Sequence, residues 1–247
     1  MKAMVLAAGL GTRLRPLTDD RPKALVEVAG RTMLEITLAR LREFGVCDVI
    51  LNAHHFADMI VEYLNAHENF GMRIEISREH DLLDTGGGLK KAAYFFLGNS
   101  AGRDEPFILH NVDVISTIDF REMLRVHAEK KALATLAVRD RKTSRYLLID
   151  EQLELCGRRS VGDSKDEIVR PAKEIHPLAF CGIHVISPRI FPLMTEEGAF
   201  SIITTYLRLA AGEKIAAFRA DDFYWRDLGK PDDLRQAADD MNRGVLS

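Results

Sequence analysis

The chain opens with MVLAAGLGTRLRPLT, residues 4–18, and the order of residues in this stretch decides the fold. MVLAA (4–8) is a short apolar run of the kind that forms a strand buried on both faces. It gives way at once to Gly9 and Gly11, and then to Arg13 and Arg15. Glycine lacks a Cβ, so the main chain turns sharply there and presents N–H groups to an anion. Arginine adds planar, permanently charged donors that match phosphate oxygens. A buried strand followed by such a loop places an anion site beyond the carboxyl end of the strand, where open α/β sheets bind their ligands. Two commoner phosphate loops are excluded. A dinucleotide fingerprint needs a small residue where Leu14 stands, and a P-loop needs Gly-Lys-Ser/Thr where Arg15-Pro16-Leu17 stands.

Outward from this stretch the chain alternates. VILNA (49–53), RIEIS (73–77), FILHNV (107–112), ATLAV (134–138) and FCGIHVIS (180–187) read as further strands. Between them lies a helix capped by Thr32, with Met33, Leu34, Ile36, Leu38, Leu41 and Phe44 at helical spacing and Gly45 as its stop. Further helices are predicted at about 56–66, 87–97, 119–130, 201–211 and 231–243. Strand, helix, strand in this order predicts an α/β fold: a doubly wound, mainly parallel but mixed sheet with helices on both faces. YLLIDEQLELCG (146–157) breaks the rhythm as two strand-like runs around a polar turn, a small β-hairpin insertion. No linker, low-complexity tract or repeat divides the chain, so residues 1–247 read as a single domain with no appended β-helix.

Composition bounds the function. Lys and Arg number 34 against 37 Asp and Glu, a net charge of −3 with no basic tract, which argues against nucleic acid as a partner. No apolar run approaches the roughly 20 residues that cross a bilayer, and MKAMVLAAGL is too short to be a cleaved leader, so a cytoplasmic protein with no membrane partner is expected. Cys47, Cys156 and Cys181 lack metal-type spacing and read as small core residues. The chain is expected as a monomer or homodimer.

Several side chains are placed for chemistry. Asp113 ends an apolar strand, a position where a carboxylate is a metal-ligand candidate or a turn cap. Asn52 and His54 end the second strand and either line a nucleotide site or are locally hydrogen-bonded. Lys23, between Pro22 and an apolar run, is a mobile point charge for the same anion. Gly86, Gly87 and Gly88 either let the backbone approach a base or ribose or form the first turn of a helix.

LAAGLGTRLRPLT followed by Pro22-Lys23-Ala24-Leu25 resembles the signature of the sugar-phosphate nucleotidyltransferases, the nucleotide-sugar pyrophosphorylases. The resemblance extends through DTGGGL (84–89), HNVD (110–113), AFCGIHVIS (179–187) and WRDLGKPDDL (225–234). The DTGGG form and compact length are most similar to N-acetylmuramate-1-phosphate uridylyltransferases and mannose- or heptose-1-phosphate guanylyltransferases. It implies a Rossmann-like nucleotidyltransferase fold and the transfer of a nucleoside monophosphate from an NTP to a sugar 1-phosphate, with Mg²⁺ as cofactor and pyrophosphate released. On this resemblance Arg13, Lys23 and Asp113 are catalytic. Ala8, Gly9, Gly11, Thr12, Arg13, Lys23, Asn52, Gly87 and Gly88 bind the nucleotide. Asp113 and Asp227 hold the metal, and Arg170 and Gly182 hold the sugar phosphate, with Lys173 the rival of Arg170. The chain departs from the family in two places: Asn111-Val112-Asp113 stands where Gly usually precedes the metal Asp, and Val169-Arg170-Pro171 stands where many relatives have Glu-Lys-Pro. The alternatives are a phosphocholine cytidylyltransferase and, from another class, a non-catalytic nucleotide-sugar-binding regulatory protein.

Overall fold

A computed structural model describes residues 1–98, 104–162 and 165–245. The first half runs β1 (Lys2–Leu6), a two-stranded ribbon of β2 (Glu27–Val28) and β3 (Arg31–Thr32), α1 (Met33–Glu43), β4 (Asp48–Ala53), α2 (Ala57–Ala66) and β5 (Arg73–Arg78). It continues through α3 (Asp84–Lys91), α4 (Ala93–Leu97), β6 (Phe107–Asn111), β7 (Val114–Ser116), α5 (Phe120–Lys130) and β8 (Ala134–Arg139). The second half comprises β9 (Arg145–Asp150), β10 (Leu155–Ser160), β11 (Glu167–Ile168), β12 (Ile175–Ile186), α6 (Ile202–Leu209), β13 (Ile215–Arg219), β14 (Trp225–Asp227) and α7 (Pro231–Asn242).

The alternation of apolar runs produces the expected mixed α/β sheet. β5, β4, β1 and β6 lie side by side and parallel. β12 joins antiparallel to β6, and β8 pairs with β12 and, in parallel, with β13. The insertion is the expected hairpin: β9 and β10 are antiparallel, and β9 pairs with the first half of β12. Successive side chains of a strand face opposite ways. Ala3 and Val5 therefore enter a core layer with α1, α2, α5 and α7, while Met4 enters the opposite layer with α3, α4 and α6. Helix α1 starts where Thr32 Oγ1 accepts the Glu35 N–H at 3.0 Å and stops at Gly45, whose φ of 76° is left-handed. The helix expected over 87–97 begins earlier, at Asp84, and is broken at Ala92 into α3 and α4.

Register fixes where a ligand would meet the sheet. Leu6 is level with Asn52 on one side and with Asn111 on the other, so the segments that follow β1, β4 and β6 leave from one edge.

Three histidines are buried in the neutral form. His184 bonds the Tyr206 hydroxyl at 2.9 Å and His127 the Thr135 hydroxyl at 3.0 Å, and His110 is almost wholly buried at the end of β6. Burial lowers His110 and His127 to about 4 and His184 to about 3. In the unfolded chain each titrates near its ordinary value, so as pH falls below about 6.5 only the unfolded state takes up the proton. Stability is therefore full above that pH and is lost progressively down to the folded values. Urea unfolding at pH 7 and pH 5 is expected to show a loss of roughly 2 kcal/mol per histidine by linkage.

Candidate active site

The glycine loop is built from beneath. Asn52, buried at the end of β4, accepts the Ala7 N–H at 2.8 Å and donates to Glu79 Oε1 at 2.8 Å. Gly11 is left-handed at φ 65°, and a Cβ there would stand 2.9 Å from Thr18 Cγ2. The Thr18 hydroxyl donates to the Gly11 carbonyl at 2.9 Å, closing the loop on itself. Leu14 is fully buried and anchors the 3₁₀ turn Thr12–Leu14, which leaves Thr12 and Arg13 exposed. Gly9 is exposed with open space at its Cβ position, and Ala8 is buried behind it. The loop is a braced glycine turn of the kind that presents main-chain N–H groups to an anion, and the Arg13 guanidinium stands beside Gly229.

Four charged side chains converge at this edge. Lys23, buried in a 3₁₀ turn that follows Pro22, ion-pairs with Asp113. Lys23 is thus fixed against a carboxylate, where its sequence context suggested a mobile charge. Antiparallel pairing of β14 with β7 sets Asp227 level with Val114, and the Asp113 carbonyl accepts the Leu228 N–H at 2.8 Å. Asp227 Oδ1 accepts the Gly229 N–H at 2.7 Å. A Cβ on Gly229 would lie 2.6 Å from Arg13 Nη2 and 2.7 Å from Asp227 Oδ1, so the guanidinium and this carboxylate flank the same glycine. Burial, and next the Asp113 carboxylate, raise the Asp227 carboxyl above its usual range, while Lys23 and Arg13 act in the opposite direction.

Two carboxylates that strain one another electrostatically attract a cation. Among the described residues no group of three or more His, Cys, Asp or Glu side chains converges. Asp113 and Asp227 could together hold a hard divalent cation, which takes carboxylate oxygens and completes its shell with phosphate oxygens and water.

The glycines of DTGGG are explained by packing. A Cβ on Gly86 would fall 2.3 Å from the Phe200 ring, one on Gly87 2.4 Å from the Gly198 carbonyl oxygen, and one on Gly88 2.7 Å from Glu79 Oε1 and 2.8 Å from Asn52 Nδ2. The three residues lie in the first turns of α3, close beneath the segment before α6 and beside the Asn52–Glu79 pair. Gly87→Ala meets fixed backbone, so it is expected to lower stability by about 1–3 kcal/mol in urea titrations.

Glu79 is the functional residue that sequence reasoning missed. It is buried; one carboxylate oxygen receives Asn52 and the other the Leu83 N–H at 3.0 Å, so it ties the floor of the glycine loop to the start of α3. It follows β5, RIEISR, where charged and apolar residues alternate, so one more charged residue there carried no signal. His54 Nδ1 lies 2.9 Å from the Glu79 carbonyl oxygen, which makes it part of this brace.

Arg170 does not reach the converging charges as a free cation. Its guanidinium is held by Asp150 and by Glu154, the latter at 2.6 Å, and cross-links the insertion hairpin. The residue expected to hold the sugar phosphate is thus engaged by two carboxylates, and its rival Lys173 is an exposed residue of the same loop. Gly182 is left-handed at φ 75° within a register shift of β12, and a Cβ there would be 2.9 Å from Asn111 Nδ2. The Asn111 side chain therefore fills the space against Gly182.

The family model described as Nucleotidyl transferase matches residues 2–244. The chain is 38% identical over 238 residues to N-acetylmuramate alpha-1-phosphate uridylyltransferase of Caulobacter vibrioides, covering 93% of this chain and 92% of that protein. It is 31% identical to mannose-1-phosphate guanyltransferase of Yarrowia lipolytica over 95% of this chain, and spans 62% of that longer protein. Among solved structures, HddC from Yersinia pseudotuberculosis complexed with GMP-PN superposes with a TM-score of 0.75 at 21% identity, covering 97% of this chain and 99% of that one. UDP-glucose pyrophosphorylase complexed with UDP-glucose superposes with a TM-score of 0.79 at 16% identity, covering 98% of each chain. At these identities the structural likeness is one of fold.

Proposed function

Since the chain belongs to the nucleotidyl transferase family, we propose that it transfers a nucleoside monophosphate from an NTP to a sugar 1-phosphate, giving an NDP-sugar and pyrophosphate. The observation that carries this reading is the convergence of Arg13, Lys23, Asp113 and Asp227 beside the glycine loop. Relatives named for uridylyl and guanylyl transfer to sugar 1-phosphates support it over phosphocholine as acceptor. A regulatory protein without turnover would have no need to keep two carboxylates and two cations together.

The chemistry is positional. An oxygen of the acceptor phosphate attacks the α-phosphorus in line; a new P–O bond forms as the bond to the β-phosphate bridging oxygen breaks, and pyrophosphate leaves with that electron pair. The residues align two anions that repel one another, so no nucleophilic side chain is required. The N–H groups of the Gly9–Thr12 loop and the Arg13 guanidinium hold the triphosphate. Lys23 keeps a positive charge at Asp113 and next to the phosphates. Asp113 and Asp227 would hold Mg²⁺, which when bound supplies neutralisation of phosphate charge. Asn52, braced by Glu79, keeps the loop in register with the sheet. We place the activity in the cytoplasm, in a single domain acting as a monomer or homodimer. In support, no helix among the described residues is long and apolar enough to cross a membrane, and no basic tract offers nucleic acid a surface.

A pyrophosphate-release screen of four NTPs against a panel of sugar 1-phosphates and phosphocholine tests the reading. The first pair to try is UTP with N-acetylmuramate 1-phosphate, because the relative of that name is matched along 92% of its length. Release that depends on a sugar 1-phosphate is expected; release with phosphocholine alone, or with no acceptor in the panel, overturns it.

A further inference from the structure

With Arg170 engaged by two carboxylates, the acceptor phosphate needs another cation. We infer that Arg141, with Arg139 beside it, is the phosphate-binding group for the acceptor, presented on the face of Trp225. This inference rests on the reading of the chain as a transferase with a phosphorylated acceptor.

The placement follows from the sheet. The nucleotide loop leaves β1, with Asn52, Glu79 and α3 on the β4–β5 side. The opposite side is formed by β6, β12 and β8. β8 is antiparallel to β12, which is antiparallel to β6, so Arg139 at the end of β8 lies at the same edge as Asn111 at the end of β6. Arg141 follows two residues later. Its guanidinium carbon stands 4.5 Å from the centre of the Trp225 ring, and that of Arg139 stands at 6.0 Å. Trp225 is in turn fixed by its indole N–H, which donates to the Cys181 carbonyl at 2.7 Å, next to Gly182. Trp225 and Asp227 are two residues apart on β14, so their side chains share a face and their Cα atoms are about 7 Å apart. The arginines therefore stand against the ring of Trp225, on the strand that also carries Asp227 and on the β12–β8 side of the sheet.

The chemistry of the pair is that of an anion site. Among the described residues neither arginine ion-pairs with a carboxylate, unlike Arg170, Arg219 and Arg226 nearby. Arg141 Nη2 donates to the Phe180 carbonyl at 3.2 Å, and its Nε is buried with no hydrogen-bond partner. A buried guanidinium N–H without an acceptor carries a desolvation penalty that a phosphate oxygen would relieve. Arg141 Nη1 also donates to the Lys142 carbonyl at 3.4 Å, so each terminal nitrogen keeps one further N–H for a phosphate oxygen while the indole face holds the guanidinium in place.

The chain has one tryptophan, Trp225, so the proposed site carries its own fluorescent reporter. Trp emission is titrated with inorganic phosphate, with N-acetylmuramate 1-phosphate and with N-acetylmuramate, in the wild type, Arg141→Ala, Arg141→Lys and Arg139→Ala proteins. Both phosphates are expected to give a saturable change in the wild type that Arg141→Ala abolishes and Arg141→Lys restores in part. The unphosphorylated sugar acid is expected to give none. In steady-state turnover, Arg141→Ala should raise the KM for the sugar 1-phosphate about tenfold or more while the KM for NTP stays within about twofold. A phosphate response in Arg141→Ala equal to the wild type, an equal response to N-acetylmuramate, or an unchanged acceptor KM in the folded variant overturns the inference. If the wild type turns over no sugar 1-phosphate, the transferase reading fails by itself, and the inorganic phosphate titration still decides whether these arginines hold phosphate.

Discussion

Asp113→Asn is expected to fold as the wild type does and to turn over about a hundredfold more slowly or worse, because it removes one preorganised charge from the point where two phosphates meet. The amide matches the carboxylate in shape, keeps an oxygen for Lys23 to donate to, and leaves the main-chain bond from Leu228 to residue 113 untouched. What it loses is the anion. Asp113 is also the charge that, after burial, most raises the Asp227 carboxyl. The substitution should therefore lower the titration of Asp227 while slowing turnover, a pairing that general unfolding would not produce. Asp227→Asn is expected to match it in rate. Near-normal turnover in a folded Asp113→Asn protein would show that the carboxylate only anchors Lys23.

Arg13→Ala is expected to cut kcat by roughly 10²-fold or more, with a smaller change in the KM for NTP. The N–H groups of the loop, fixed by Asn52 and Thr18, still receive ground-state phosphate. In the proposed reaction the guanidinium, set beside Gly229 and Asp227, would meet the charge that shifts as the phosphorus–oxygen bond breaks. Lysine should rescue only in part, since it keeps the charge and loses the fork. Steady-state kinetics on the purified variants decides it. Unchanged kcat would make the arginine a solvated charge and the loop only a turn.

What was legible in the sequence was local or nearly so. The strand before Gly9, the two-sided burial of β1 and β4, the Thr32 cap and the hairpin near residue 150 all depend on neighbours a few positions away, and periodicity reports those. The pairing of Asp113 with Asp227 was legible only through the resemblance, because an antiparallel contact between β7 and β14 joins residues far apart in the chain. Where a side chain's partner lies in another element the sequence was silent. Asp150 and Glu154 occupy Arg170 from the turn of the hairpin, and Phe200 and Gly198 demand glycine at 86 and 87 from the segment before α6. Nothing around Arg141 marks it, since the indole it stacks on arrives from β14.

In the proposed reaction these residues align two phosphates for one direct displacement, with no covalent stage on the protein. This is tested most directly by following configuration at the α-phosphorus. The enzyme is given an NTP carrying a single sulfur on that phosphorus in one known configuration, with its sugar 1-phosphate acceptor, and the configuration of the NDP-sugar is read. A single in-line attack predicts inversion. Retention would require two successive displacements through a nucleotidyl-enzyme, and would contradict an account in which Arg13, Lys23, Asp113 and Asp227 only hold and neutralise.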